Sequence, residues 1–417
     1  MTDRGAATPI PSAGGCPFAA GRTLPVDGTQ LAPSPTLAAW RAEADATPLT
    51  YSDGHDGWIV TGHALAQAVL ADPRFTRQVT RFPLPGSGID ELDDAARESL
   101  RTGVPLDNDG EVHARLRRTL TPRFSLRAAR GHRERIAAIV RGQLASFTAT
   151  RAPADLTSGF AEPISAAVHC LVMGVPDSFA DRYSRLFVGR SSSQQKFDFT
   201  REVLARKRED PADDVLSDLV RSDLAPSAIE GLAFMVLTAG RDSVAHVIST
   251  AVVALLTNPG QWDALRDDPG RLPAAVEEFV RVGSLFLTLF SRTATEDVVI
   301  GEFTVRAGQS VSVSPAAANR DERVFADPDA FDVARDAFGH IGFGYGIHGC
   351  VGQQVARVAI AEAVGALIAE LPGLRLVEAE QLSPMPFAHP VATYSTGAVV
   401  VDWEDALAVR DRVLRGG

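Results

Sequence analysis

The sequence predicts a mainly α-helical protein with a small β-sheet region. From Gly110 to about Leu256 the apolar residues recur at helical spacing, with prolines 122, 163, 176, 211 and 226 marking breaks or first turns. Asp297 to Val313 instead alternates polar and apolar residues around Arg306-Ala-Gly308, as strands do. Further strand-like stretches lie near both ends. With 417 residues, 45% of them hydrophobic, the chain can bury a large core. No internal repeat is present.

Residues 1–35 read as a loose arm punctuated by Pro, Gly and Ser, and 36–417 as a single domain. Pro48 to Thr61 reads as two short strands around the turn Asp53-Gly-His-Asp-Gly57, followed by a helix from about Ala64 to Leu70. Phe82 to Asn108 reads as an irregular loop holding one short helix. The longest helix is expected to start at Ser227, where Ser227-Ala-Ile-Glu230 fits a capping box, and to stop before Asn258-Pro259. At about 1.5 Å per residue it would span roughly 45 Å. A helix from Pro273 to about Val282 follows, then the strands of 297–313. A last helix runs from Cys350 to about Leu371, and 374–403 is strand-like again.

Composition removes several functional classes. A net charge of −11 gives no general attraction to nucleic acid or anionic membrane. Phosphate-cradling glycine signatures are absent. Three cysteines, Cys16, Cys170 and Cys350, make no disulfide framework, and a reducing cytoplasm is the expected compartment. Met1 to Pro25 lacks the pattern of a leader or anchor. The apolar run Leu232 to Thr257 is interrupted by Arg241, Asp242 and His246, so it reads as a buried helix and not a membrane span.

The sharpest local feature is Phe343-Gly-Tyr-Gly-Ile-His-Gly-Cys-Val-Gly352. Its glycines permit unusual backbone angles and close approach of a flat ligand. Cys350 lies just before a helix, whose N-terminus favours a thiolate. A thiolate is an axial haem ligand that promotes O–O cleavage. A buried cysteine in a glycine-rich turn fits the residues equally well. A zinc site would need more ligands. A nucleophile–base pair with His348 would lack an orienting third group.

The loop resembles the cysteine-ligand signature of the cytochrome P-450 family, Phe-Gly-x-Gly-x-His-x-Cys-x-Gly. Every fixed position is present, and the resemblance extends from about Pro48 over nearly the whole chain. It implies the family's fold, haem b as cofactor and Cys350 as axial thiolate. It further implies that Phe343 shields the sulfur, that Gly344 and Gly352 shape the loop, and that His113, Arg117, Arg292 and His348 meet the haem propionates. Arg suits such carboxylate binding. The family's Glu-x-x-Arg is matched by Glu278 and Arg281, with Arg335 completing an ion-pair triad of structural role. Ala239-Gly-Arg-Asp-Ser243 resembles the oxygen-activation segment. There Ala239 and Gly240 leave room beside the haem, and Asp242 and Ser243 relay protons. The family usually has threonine where Ser243 stands, and serine lacks the stiff branched rotamer.

The implied activity is a monooxygenase that oxidises a small molecule with dioxygen and electrons from a ferredoxin and its reductase. No reductase segment follows Trp403, and a monomer is the expected state. The cysteine side is the expected docking face, with Arg115, Arg118 and Arg357 adding positive charge. The expected pocket draws on Phe82, Val236, Leu285, Phe286, Leu287, Thr288, Thr393 and Tyr394, under a short roof around Arg190 to Phe199. The Trp-Arg-x-Glu and Asp-Gly-His-Asp-Gly-Trp segments resemble those of enzymes acting on tryptophan-containing cyclic dipeptides, by hydroxylation or oxidative coupling. A terpene, macrolide or fatty acid is the alternative substrate. A peroxide-driven peroxygenase and a non-catalytic haem-binding sensor are the rival activities.

Overall fold

The computed structural model describes residues 21–25, 27–29, 31–32, 34–78, 91–188, 191–283, 285–379, 392–394 and 397–403. The arm expected over 1–35, and Phe82 among the pocket residues, lie largely or wholly outside these.

The chain opens with α1 (Pro35–Glu43), capped by the Ser34 hydroxyl. Strands β1 (Ala46–Thr50) and β2 (Asp56–Val60) pair around the expected turn, followed by α2 (His63–Ala71) and β3 (Phe75–Thr76). A helical block follows: α3 (Asp94–Gly103), α4 (Gly110–Leu120), α5 (Leu126–Thr148), the short strand β4 (Ala154–Asp155), and α6 (Glu162–Met173). It continues through α7 (Asp177–Val188), α8 (Ser193–Glu209), α9 (Val215–Arg221), α10 (Pro226–Thr238), α11 (Arg241–Thr257), α12 (Pro259–Asp267) and α13 (Leu272–Val282).

The small sheets come next. β5 (Phe286–Thr288), β6 (Arg292–Ala294), β7 (Val298–Ile300), β8 (Phe303–Val305) and β9 (Ser310–Val313) precede α14 (Pro315–Ala318) and α15 (Gln353–Glu370). The described chain ends with β10 (Arg375–Ala379), β11 (Ala392–Thr393) and β12 (Val399–Asp402). The main sheet has the order β1-β2-β9-β6-β3, with β2 and β9 parallel and the other neighbours antiparallel. It can be small because helices supply most of the core.

Two of the hydrophobic cores matter most for the architecture. The larger unites α5, α6, α10, α11 and α15 through residues such as Ile136, Ile164, Leu232, Ile248 and Val364. The smaller lies under the main sheet, around Trp58, Val60, Val311 and Ile341. Pro226–Thr257 has the length and apolarity of a membrane span, but 67% of its most apolar window is buried inside the protein. That is the pattern of a core helix.

The single helix expected from Ser227 to Thr257 is instead two. α10 stops at Thr238, Gly240 takes a left-handed conformation at φ 90°, and α11 restarts at Arg241. The expected capping box is also absent. Pro226 sets the first turn, with Ala225 as N-cap, so Ser227 already lies inside the helix. The Ser227 hydroxyl accepts a hydrogen bond from Thr102, and Glu230 accepts from Ser99 and Arg201. Both side chains tie α10 to its neighbours instead of to its own first turn.

Candidate active site

The site is built where the cysteine loop meets the N-terminal part of α4. Gly344 and Gly346 hold φ of 72° and 70°, angles that side chains with a Cβ rarely adopt. At Gly346 a Cβ would also lie 2.6 Å from the Leu70 carbonyl of α2. The loop folds back on itself through the Cys350 N–H, which donates to the Phe343 carbonyl at 2.8 Å. The sulfur accepts from the backbone N–H groups of Gly352 and Gln353, as the glycine spacing predicts.

The expectation of a depressed thiol pKa needs correction. Burial pushes the Cys350 thiol up, and it outweighs the two amides and the Arg117 and Arg357 charges that pull it down. The helix N-terminus alone therefore does not make a thiolate; a coordinated metal, which deprotonates a thiol outright, does. Cys350 nevertheless has accessible surface. Thr238, Ala239 and Gly240 are likewise exposed, although most of their flanking helices is buried. Sulfur and helix break are thus both accessible.

The His113 and His348 rings meet at a tilt of 57° with centroids 4.6 Å apart. His348 Nε2 bonds Asp109 at 2.8 Å, and Arg117 donates to the Gly349 carbonyl at 2.6 Å. His113 Nε2, His348 Nδ1 and Arg292 Nε are each buried without a hydrogen-bond partner. Leaving such atoms unmatched is costly. The charges are equally unbalanced. Burial, with neighbouring cations, lowers the pKa of His348 to about 4 and of Arg292 to about 10. An anionic ligand with two carboxylates would supply both the missing acceptors and the missing charge. The donor set fits haem propionates.

Two contributors were not legible in the sequence. Asp109 accepts from Thr76, Arg77 and His348, and orients the imidazole. Its position just before a helix reads only as an N-cap. Arg77 is buried beside Phe290 and pairs with Asp107. No motif marks it.

Behind the loop, Arg357 of α15 lies 4.6 Å from the Phe343 ring centroid, with Glu277 gripping its guanidinium at 2.6 and 2.8 Å. His340 also reaches Glu277, at 3.1 Å. Arg357 of the expected docking face is thus ion-paired and half-buried. Arg115 and Arg118 are similarly paired, with Asp223 and Glu111.

The Glu277 cluster sets an acid limit. Burial alone would raise the Glu277 carboxyl, but the bonds from Arg357 and His340 prevail and hold it at about 2, below its ordinary 4.5. A depressed carboxyl stabilises the fold above its unfolded pKa, and that stability is lost as pH falls through the folded value. Acid titration from pH 4.5 towards 2 should therefore destabilise the parent steadily. Glu277→Gln should be less stable at neutral pH and lose less on acidification; parallel acid-unfolding curves would refute this.

Glu278 and Arg281 of α13 form the expected pair at 2.7 and 2.8 Å, with Arg335 at 3.4 Å. The expected pocket residues divide. Leu287 and Tyr394 are corrected: they pack with Leu37, Trp40 and Leu49 in a small core, because strand alternation turns Leu287 away from Phe286 and Thr288. Val236 packs in the large core. Leu285, Phe286 and Thr393 are half-buried, and Thr393 pairs with Phe286. Phe197 and Phe199 of the expected roof are fully buried core residues. Trp40 and Trp58, which suggested a cyclic-dipeptide substrate, are buried in the small cores.

Over 393 residues, 90% of this chain and 94% of the relative, the sequence is 36% identical to pentalenic acid synthase of Streptomyces avermitilis. The chain belongs to the cytochrome P-450 family. The family model "Cytochrome P450" (cytochrome P-450) matches residues 270–371, which hold both the Glu278–Arg281 pair and the cysteine loop. Mycinamicin IV hydroxylase/epoxidase of Micromonospora griseorubida is 34% identical over 78% of this chain and 84% of its own. The crystal structure of the cytochrome P-450 MoxA from Nonomuraea recticatena superposes with a TM-score of 0.81 at 32% identity, covering 92% of this chain and 99% of that one. This P-450 is accordingly a haem-dependent monooxygenase whose cofactor takes a cysteine thiolate as axial ligand, and Cys350 stands in the matching loop.

Proposed function

We propose that this P-450 hydroxylates a small natural product in the cytoplasm, drawing electrons from a ferredoxin and its reductase. The observation that carries the reading is the open break at Gly240, followed at once by an acid and an alcohol. Haem, when bound, supplies dioxygen activation under the electron push of the thiolate. The chain supplies the rest. His113, Arg117, Arg292 and His348 hold the carboxylates. Phe343 packs beside the sulfur, and Gly344 and Gly352 let the backbone approach. Ala239 and Gly240 leave room beside the cofactor.

Asp242 is largely solvent-exposed and ion-paired to Arg241, so it can take protons from water. Ser243, half-buried, passes them inward. Leu285, Phe286 and Thr393 form the substrate wall, and the expected Thr288 is fully buried behind it. Relatives named for pentalenic acid and mycinamicin favour a terpene or macrolide type of substrate over a cyclic dipeptide. The buried tryptophans give the dipeptide no support.

Asp242→Asn should lower product formation by about 100-fold, the lower end of general-acid effects because solvent can partly substitute. The consumed electrons should reappear as hydrogen peroxide. Product yield equal to the parent's would defeat the proton-relay reading. Turnover with peroxide alone, as fast as with ferredoxin, would favour the peroxygenase instead. Soret shifts across terpenes, macrolides, fatty acids and cyclic dipeptides would settle the substrate class; binding confined to cyclic dipeptides would reverse the choice made here.

A further inference from the structure

The last carbonyls of a helix have no amide partners in their own helix. In this protein such an end lies between α10 and α11, where Val236 and Leu237 are buried although Thr238 to Gly240 are exposed. Buried carbonyls then need donors from elsewhere. The Met235 carbonyl receives the Ala239 N–H at 2.8 Å. The next two are met by neighbouring helices. The His169 ring of α6 bonds the Val236 backbone, and the Tyr183 hydroxyl of α7 donates to the Leu237 carbonyl at 2.9 Å. Beyond the break, the Ser165 hydroxyl of α6 donates to the Arg241 carbonyl and lies 3.5 Å from that of Gly240.

These contacts share one geometry. Ser165 and His169 stand one turn apart on α6 and present the same face. A Cβ on Gly240 would lie 3.5 Å from the His169 ring. His169 and Tyr183 lie nearly parallel with ring centroids 5.8 Å apart. All three residues are buried. His169 Nε2 has no hydrogen-bond partner. Stability alone would favour an aliphatic side chain over an unmatched buried nitrogen.

We propose that Ser165, His169 and Tyr183 are positioning residues that hold the helix break open from behind and so fix Asp242 and Ser243 for proton delivery. The proposal rests on the reading of those two residues as the oxygen-activation pair. Without the His169 and Tyr183 donors, the Val236 and Leu237 carbonyls would recover the amides of Gly240 and Arg241, which an unbroken helix brings to them, and without Ser165 the first turn of α11 would be free to rotate into line with α10. Closure would rotate Asp242 and Ser243 about the helix axis. The clamp also offsets what Ser243 lacks, because a serine without a β-branch depends more on its backbone for orientation.

The test uses the full-length, haem-loaded enzyme. Ser165→Ala and Tyr183→Phe each remove one hydroxyl and keep the packing, and thermal melting checks that they fold. Hydrogen exchange at the Gly240 and Arg241 amides should slow by about tenfold or more as the helix closes. Product formed per electron should fall by about 3- to 10-fold, with the difference released as peroxide. Ser165→Thr, which keeps the hydroxyl, should restore both. Exchange equal to or faster than the parent's overturns the clamp, as does a Thr variant as impaired as the Ala variant. Asp242→Asn serves as the control. If it couples electrons as well as the parent, the oxygen-activation reading fails, while the exchange rates still decide the clamp.

Discussion

Cys350→Ser should yield a folded protein that binds haem poorly and has no measurable monooxygenase activity. Serine is close in size to cysteine and can keep the Cys350 N–H bond to the Phe343 carbonyl and the acceptor role towards Gly352 and Gln353. The loop should therefore survive, and the melting temperature of the haem-free protein should change little. A serine hydroxyl does not ionise as a thiol does, so the anionic axial ligand is lost. Outer-sphere substitutions already cost about 10–100-fold in affinity; removal of the ligand itself should cost more. The reduced carbonyl complex should lose its thiolate-type spectrum. An unchanged spectrum would mean that another residue holds the iron, and the site as drawn would be wrong.

What could be read from the sequence, and what could not, follows the range of the interactions. The cysteine loop is local: its glycines, His348 and Cys350 lie within ten residues, and its backbone geometry follows from their order. The helix after Cys350 and the strands of 297–313 were equally legible, because their periodicity is a property of a short window. At Gly240 the sequence allows a local opening of the helix but does not show two separate helices. An isolated glycine in an apolar run costs a helix only about 1 kcal/mol. The donors that stabilise the break come from α6 and α7, far away in sequence.

The same limit explains Asp109 and Arg77, whose partners at His348 and Ser291 lie more than 200 residues on. It also explains Leu287 and Tyr394. A pocket wall and a core strand have the same composition, and only the pairing of β5 with β11 decides which side chain faces which way. The paired state of Arg115, Arg118 and Arg357 was hidden for a related reason. Charge counts along a sequence do not reveal the carboxylates that other elements bring alongside.

Glu278→Gln should be the most destabilising conservative change in the protein, at about 3–5 kcal/mol, because it strands a buried cation. Glu278 and Arg281 are both fully buried. Arg281 also donates to the carbonyls of Asn319, Pro328 and Ala330. It thereby fastens α13 to the segment leading to the cysteine loop. Asn319 extends the connection, donating to the Arg281 carbonyl and accepting the Ile341 N–H at 2.8 Å, two residues before Phe343. Loss of the pair should therefore lower haem retention together with the urea midpoint. Replacing both partners by apolar residues separates two causes. If charge balance were everything, Glu278→Leu with Arg281→Met should recover most of the loss, as buried pairs often allow. Here recovery should be partial, because the Asn319 carbonyl would lose its side-chain donor, while those of Pro328 and Ala330 would keep only Arg320 and Arg335. A double-mutant cycle measures the difference. Full recovery would show that Arg281 anchors nothing beyond its partner, and a Glu278→Gln midpoint near the parent's would show that the pair is not needed to hold the loop.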